Sequence, residues 1–342
     1  MISNSPSRST ASPAGVVVNH SNLRSFQSPS PQAMDMKNVR TDESLSTSFI
    51  PPGTVLPPDE TAVLAARKSL QRRFSVNQLT TLPWGLEQDL EHYQRNGIAA
   101  IGLEWRKLRE YGARRSIRRI LESGMKISSL SCIGGFTGEN GQSTQETMAE
   151  CRKLIRIAGQ LRAGTVTVVT GPQGGHIRSN ANRLVVDALK QLVPMAALYG
   201  VQLALQPMHP MFARSWTFLH SLDDTLKILD RVGDSRLKIA FHSYHLWQEP
   251  NLTTRISEMA SQIGLVRLAD WGETPRHDHD RLMPGQGRLP LAGLVQALDA
   301  SGYSGWYELE VWSRDLWKLD QPDLMQACLT ARDQLAASLV AC

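Results

Sequence analysis

Cysteine is scarce in this chain: only Cys132, Cys151, Cys328 and Cys342 occur among 342 residues, with no Cys-X-X-Cys spacing. That excludes a disulfide framework and a thiolate metal knuckle, and free thiols in a reducing compartment follow. No stretch reaches the roughly 20 apolar residues a membrane helix needs. The N-terminus lacks the apolar core of a secretory signal. A cytoplasmic protein without a membrane partner is the expectation. A strong charge bias is also missing, since the formal net charge is only +5. No Lys/Arg block interleaves with aromatics on one element, so a nucleic-acid partner is not expected. The basic run Arg114-Arg115-Ser116-Ile117-Arg118-Arg119 falls in a helical pattern and suits a solvated helix face. The first apolar run is followed by Asn77-Gln78-Leu79-Thr80-Thr81, not by a Gly-rich phosphate loop. This counts against a nucleotide-binding open sheet.

What is present divides the chain in three. Residues 1–58 are rich in Ser and Pro, as in Ser28-Pro29-Ser30-Pro31, and have too few apolar groups to offset the entropy of ordering. They are expected to be a disordered tail. Residues 59–73 carry the amphipathic pattern of a lead-in helix, with Val63, Leu64 and Leu70 apolar. From Phe74 to residue 342 one unit recurs: a helical segment, a glycine, then a short apolar run. The glycines are Gly97, Gly124, Gly164, Gly200, Gly264 and Gly302. Each is expected to end its helix in the left-handed conformation. Runs such as Thr165-Val166-Thr167-Val168-Val169 are nearly continuously apolar, as in parallel strands covered on both faces. Eight strands are expected, starting near Phe74, Ile98, Lys126, Thr165, Val201, Leu237, Leu265 and Gly305. The span is close to the ~250 residues of an α/β fold of the (β/α)8 TIM-barrel type.

In such a barrel, chemistry collects at the C-terminal ends of the strands. That rule assembles Gln78, Glu104, Cys132, Gln206, His209, His242, His245, Asp270 and Glu310 as a candidate site.

The segments Leu205-Gln206-Pro207-Met208-His209-Pro210, Phe241-His242-Ser243-Tyr244-His245-Leu246-Trp247, Leu268-Ala269-Asp270-Trp271, Pro284-Gly285-Gln286-Gly287 and Gly302 to Glu310 occur in order, one per repeating unit. Together they make residues 74–340 similar to the xylose-isomerase-like TIM-barrel superfamily of sugar (phosphate) isomerases and epimerases. The resemblance implies a divalent ion (Mn, Mg or Zn) held by a Glu, an Asp, a His and a second Glu, with the two Glu side chains moving the proton. Oxygen ligands suit such hard cations.

At the matching positions this chain has Gln206, His242, Arg267 and Glu310. Three of the four family ligands are anionic. Here only Glu310 is, and Arg267 is a permanent cation that cannot become a ligand. The expectation is therefore a degenerate metal site with no cofactor, in which Arg267 takes the ion's place and pairs with Glu310. Glu308, two residues earlier, is expected deeper in the barrel. Glu310 and Arg267 are the expected catalytic pair. Gln206, His209, His242, His245, Trp247, Asp270, Arg281 and Glu104 are the expected contacts to substrate. Trp271, Trp312 and Trp317 suit either an aromatic wall for a sugar or loop packing. The Pro284–Gly287 loop is a candidate for presenting backbone N–H groups to a phosphate. His277-Asp278-His279-Asp280 is taken as a solvated loop, and residues 171–176 as a flexible loop that could act as a lid.

The expected function is that of a sugar (phosphate) isomerase- or epimerase-like barrel acting on a sugar, polyol or related hydroxy-carbonyl compound. The alternatives are a non-catalytic carbohydrate-binding relative, and a lyase, dehydratase or hydrolase using one acid–base group. The resemblance leaves a homo-oligomer open as a partner.

Overall fold

Eight parallel strands pair in chain order, and the last returns to the first to close a barrel. The computed structural model describes residues 68–138, 141–273 and 275–339. The proposed tail and most of the lead-in helix lie outside these residues. The strands are β1 (Phe74–Asn77), β2 (Ala100–Glu104), β3 (Lys126–Gly134), β4 (Thr165–Val169), β5 (Gln202–Leu205), β6 (Leu237–His242), β7 (Ile263–Leu268) and β8 (Tyr307–Leu309). All eight begin within two residues of the positions expected from the sequence. Among the described residues, no helix is long and apolar enough to cross a membrane.

The helices cover the outside of the barrel by burying one face each. The helix Thr144–Gln160 illustrates why. Ser143 accepts from the Glu146 backbone N–H, and the Glu146 carboxylate accepts from the Ser143 N–H in return. Such a cap contributes about 1 kcal/mol. Met148, Cys151, Leu154, Ile155 and Ala158 then recur at helical spacing and are buried against the sheet.

The glycine expectation needs correction at two of six positions. Gly97, Gly124, Gly200 and Gly302 have φ between 66° and 81°, but Gly164 and Gly264 are not left-handed. Arg162 takes the left-handed turn ahead of Gly164, with φ 54°. Gly264 lies inside β7, where a Cβ would come within 2.4 Å of the Gln202 side-chain oxygen. Close approach explains that glycine, not a helix ending.

The barrel interior is layered. At its N-terminal end Ala204, Ala240 and Leu265 pack with Trp306 into a small apolar cluster. Above it the filling is polar. Glu308 is fully buried and accepts from Asn77 Nδ2 at 2.8 Å, Ser128 Oγ at 2.6 Å and Ser129 Oγ at 2.7 Å. Gly102 leaves room for this cluster, since a Cβ there would lie 2.4 Å from Glu308 Oε2 and 2.6 Å from Asn77 Nδ2. Side chains alternate along a strand. Two residues further along each strand from Gly102 and Glu308, the topmost interior positions therefore belong to Glu104 and Glu310.

Candidate active site at the mouth of the barrel

Strand parity places Arg267 of β7 inside the barrel between two carboxylates. Its Nε donates to Glu308 Oε1 at 2.9 Å. Its Nη1 donates to Gln206 Oε1 at 2.8 Å and lies 2.5 Å from Glu310 Oε2. Its Nη2 donates to Ser131 Oγ at 2.7 Å, with Ser129 Oγ at 3.4 Å. Burial opposes the charge on Arg267, but the Glu310 and Glu308 carboxylates outweigh it and raise its pKa above the ordinary value.

A second guanidinium completes the cluster. Arg281 comes from the long loop after β7 and is fully buried. Its Nη1 donates to Glu310 Oε1 at 3.0 Å, and its plane lies over the Trp312 and Tyr244 rings, 4.3 and 4.8 Å from their centroids. Two guanidiniums thus balance two carboxylates. His242 and His245 add no charge, because both imidazoles are held well below the ordinary histidine value, first by burial. For His242 the guanidiniums of Arg281 and Arg267 add to this; for His245, His242 and Arg281 do.

Six of the expected residues therefore meet: Gln206, His242, His245, Arg267, Arg281 and Glu310. Glu308 lies beneath them, at the depth the sequence suggested. His209 and Trp247 sit to one side, in an aromatic group with Trp271, whose ring centroid is 5.0 Å from His209 and 5.4 Å from Trp247. His209 Nε2 donates to Gln248 Oε1 at 3.2 Å and its Nδ1 accepts the Met211 N–H at 3.3 Å, so its nitrogens are engaged within the protein. Trp317 packs loop on loop, its indole N–H donating to Leu79 O at 3.1 Å.

Asp270 and the glycine loop need correction. Asp270 was expected to touch substrate, and the Pro284–Gly287 loop to offer N–H groups to a phosphate. Instead Asp270 Oδ2 accepts from Gly285 N and Gly287 N, both at 3.0 Å. Its Oδ1 accepts from Trp271 N at 2.8 Å and Leu289 N at 3.0 Å. A carboxylate of this chain already holds the anion-binding position of that loop. Asp270 positions the segment that carries Arg281. Replacing it with Ala should leave several backbone donors unpaired and lower stability by about 3 kcal/mol. Urea denaturation measures this, and limited proteolysis should show new cleavage within residues 272–288.

Two other loops are also more engaged than expected. His279 stacks on Trp312 at 5.7 Å, and Asp280 pairs with Arg276, so residues 277–280 are half-buried rather than simply solvated. Residues 171–176 are tethered by Gly171 N to Trp216 O at 2.9 Å and by the His176 ring to Thr137 O at 2.9 Å. Among the described residues, no group of three or more His, Cys, Asp and Glu side chains is arranged to hold a metal ion.

The serines of β3 and Asn77, which ends β1, are not among the residues expected at the site. Their signal was the polar residues within Ser128-Ser129-Leu130-Ser131, unusual for a buried strand. Also missed was a fully internal pair beside the site. Lys107 Nζ donates to Asp89 Oδ2 at 2.9 Å, Gln78 Nε2 donates to the same oxygen at 2.7 Å, and Gln78 Oε1 accepts from the Glu104 backbone N–H at 2.9 Å. This network ties the upper ends of β1 and β2 together.

The mouth is nearly closed. Glu310 is 1% exposed and Arg267 3%. Glu104 and Cys132 are the half-buried groups on the β2–β3 side. A cavity of about 430 Å³ lies instead around Arg73 and Tyr307, at the opposite, N-terminal end. Arg73 there donates to Asp299 at 2.8 Å and stacks on Tyr307. That end carries none of the cluster just described.

Known proteins share this architecture. An inosose isomerase of Halalkalibacterium halodurans is 24% identical over 269 residues, covering 75% of this chain and 93% of that protein. The hydroxypyruvate isomerase of Escherichia coli is 26% identical over 182 residues, covering 53% of this chain and 65% of the relative. Among solved structures, protein SMc04130 from Sinorhizobium meliloti superimposes with a TM-score of 0.72 at 26% identity, covering 77% of this chain and 98% of that one. The IOLI protein with a bound zinc atom gives 0.69 at 22% identity, covering 78% and 98%, which speaks to the fold alone. The sequence pattern described as a xylose isomerase-like TIM barrel matches residues 90–333, and the chain belongs to that family.

Proposed function

We propose that this chain is an acid–base isomerase or epimerase of a sugar, polyol or related hydroxy-carbonyl compound, working with a guanidinium where its family uses a divalent ion. One observation carries the reading: the Glu310 carboxylate is held between Arg267 and Arg281, beside two uncharged imidazoles. Removing a proton next to a carbonyl builds negative charge on the carbonyl oxygen. Fixed cations in a water-poor site stabilise that charge where it develops. Glu310 is the carboxylate within reach to take the proton.

The donor set does not suit a hard divalent ion. Arg267 Nη1 is already at 2.5 Å from Glu310 Oε2 and 2.8 Å from Gln206 Oε1, the two oxygens such an ion would need. Repulsion between that guanidinium and a 2+ ion a few ångströms away is several kcal/mol even at an effective dielectric of about 20. Metal analysis of the purified protein checks this point, and stoichiometric Mn or Zn bound beside Glu310 would overturn it.

The named relatives suggest the probes: inosose, hydroxypyruvate, D-psicose and L-ribulose. Incubated with wild-type protein in D₂O, at least one should take up deuterium at the carbon next to its carbonyl. Glu310→Gln should reduce that exchange at least 1,000-fold while weakening binding only modestly. Full-rate exchange by Glu310→Gln removes Glu310 from the chemistry. The near-complete burial of Glu310 and Arg267 favours a second reading, a non-catalytic carbohydrate-binding relative. Thermal stabilisation by one of the four compounds, with no exchange of any, supports that reading over the first.

A further inference from the structure

We infer that Glu104 is the acid–base partner of Glu310, carrying the proton to and from substrate oxygen; this rests on the isomerase reading above. The family position that would hold a second carboxylate is Gln206, which cannot carry a proton and which accepts from Arg267 at 2.8 Å. Another carboxylate must serve, and β2 supplies one. Gly102 faces the barrel interior against Glu308, so Glu104, two residues on, faces the same way one layer higher. Its backbone pairs with Ser131, the residue whose hydroxyl receives Arg267 Nη2 at 2.7 Å. Adjacent strands lie about 4.8 Å apart. Glu104 therefore shares the upper layer with the Arg267–Glu310 pair, on the half-buried β2–β3 side from which a ligand can approach.

The chemistry balances with these two groups alone. Ionised Glu310 takes the proton from the hydroxyl-bearing carbon as protonated Glu104 gives its proton to the neighbouring carbonyl oxygen, leaving a neutral enediol. Glu104, now ionised, removes the proton from the other hydroxyl. Glu310 returns its proton to the former carbonyl carbon. The carbonyl has moved by one carbon, and both residues are restored. This cycle needs Glu104 to hold a proton near neutral pH. Burial, with Glu310 nearby, pushes its carboxyl up to about 7. The other charged or titratable groups that face it are Arg267, Arg106, Lys107 and Cys132.

A structural role competes with this one. Glu104 Oε1 accepts from Arg106 N at 3.3 Å and so caps the following helix, Trp105–Tyr111. Gln keeps an oxygen for that cap but cannot transfer a proton, which separates the two roles. The assay follows conversion of hydroxypyruvate, inosose, D-psicose and L-ribulose by the full chain. Glu104→Gln should lower kcat at least 100-fold with KM within about threefold and a thermal midpoint no lower than that of the wild type. It should also abolish the fall in rate as pH rises through about 7. Glu104→Asp should recover a substantial part of the rate. Wild-type activity retained within threefold by Glu104→Gln, with the same pH profile, overturns this inference and leaves the isomerase reading intact. Equal loss in both variants with a lowered melting temperature assigns Glu104 to structure and also overturns it. No exchange by the wild type with any of the four compounds overturns both.

Discussion

Arg267→Met should cost the fold about 3–5 kcal/mol, the range for removing one partner of a buried ion pair. The loss comes less from the missing attraction than from what is left behind. Glu308 is fully buried, and Arg267 supplies its counter-charge at 2.9 Å; the remaining partners, Asn77, Ser128 and Ser129, are neutral donors. Met fills much of the volume, so a cavity does not account for the effect. Glu310 is less exposed to the change because Arg281 still holds it at 3.0 Å. Urea denaturation at neutral pH measures the difference. Adding Glu308→Gln to Arg267→Met should recover part of it, because the uncompensated carboxylate is then gone. If Arg267→Met unfolds within 1 kcal/mol of wild type, the internal charge cluster is not what holds the upper half of the barrel.

The strands are legible in the sequence because parallel strands covered on both faces are mostly apolar, and most of the runs follow a helix that ends at or near a glycine. Arg267 and Glu310 were readable because they stand at strand ends in a family whose pattern is ordered along the chain. Asp270 was found but given the wrong task. Nothing in Leu268-Ala269-Asp270-Trp271 reveals that three backbone N–H groups from a loop 15 to 19 residues later converge on its oxygens, beside the N–H of Trp271. Arg281 was assigned to a ligand on family pattern, yet its burial against Trp312, Tyr244 and Glu310 depends on how a long loop folds back over the mouth. Loop closure of that kind is a tertiary property, and strand periodicity carries no information about it. Glu104 lies between these cases. Its strand position was visible, but the layer it shares with Glu310 follows from barrel register, which fixes Gly102 against Glu308.

The same cluster should make the protein labile to acid, in a window set by two histidines. His242 Nδ1 receives the Tyr244 N–H at 3.2 Å, and its Nε2 faces Arg281 Nη1 at 2.9 Å. His245 Nδ1 receives the His209 N–H at 3.3 Å, and its Nε2 faces Arg281 Nη2 at 3.3 Å. Each ring therefore has a donor opposite both nitrogens. A neutral imidazole can still accept at one of them, but a protonated ring would set two N–H groups against two others beside a guanidinium. Burial adds to this and holds both rings well below the ordinary value of 6.5. The unfolded chain protonates these histidines near 6.5 and the folded chain does not, so the unfolded state gains protons first as pH falls. Their contribution to stability is complete above about pH 6.5 and is lost progressively below it, until the folded rings titrate. Each ring should cost about 1.4 kcal/mol per pH unit in that window. Glu104 works in the opposite sense between its ordinary value of 4.5 and about 7, because its raised folded pKa favours the folded state as pH falls. His279, which burial holds down to about 4, and His209, also lowered by burial, add to the histidine slope, so the wild-type slope is a sum of opposing contributions. Single variants resolve the terms. His242→Gln and His245→Gln each keep an oxygen for Arg281 and cannot take up a proton. Denaturation free energies between pH 6.5 and 5 should fall less steeply in each variant by about 1.4 kcal/mol per pH unit. A slope unchanged from wild type in both would mean that the imidazoles are protonated inside the barrel mouth, and that the charge balance around Glu310 is carried differently.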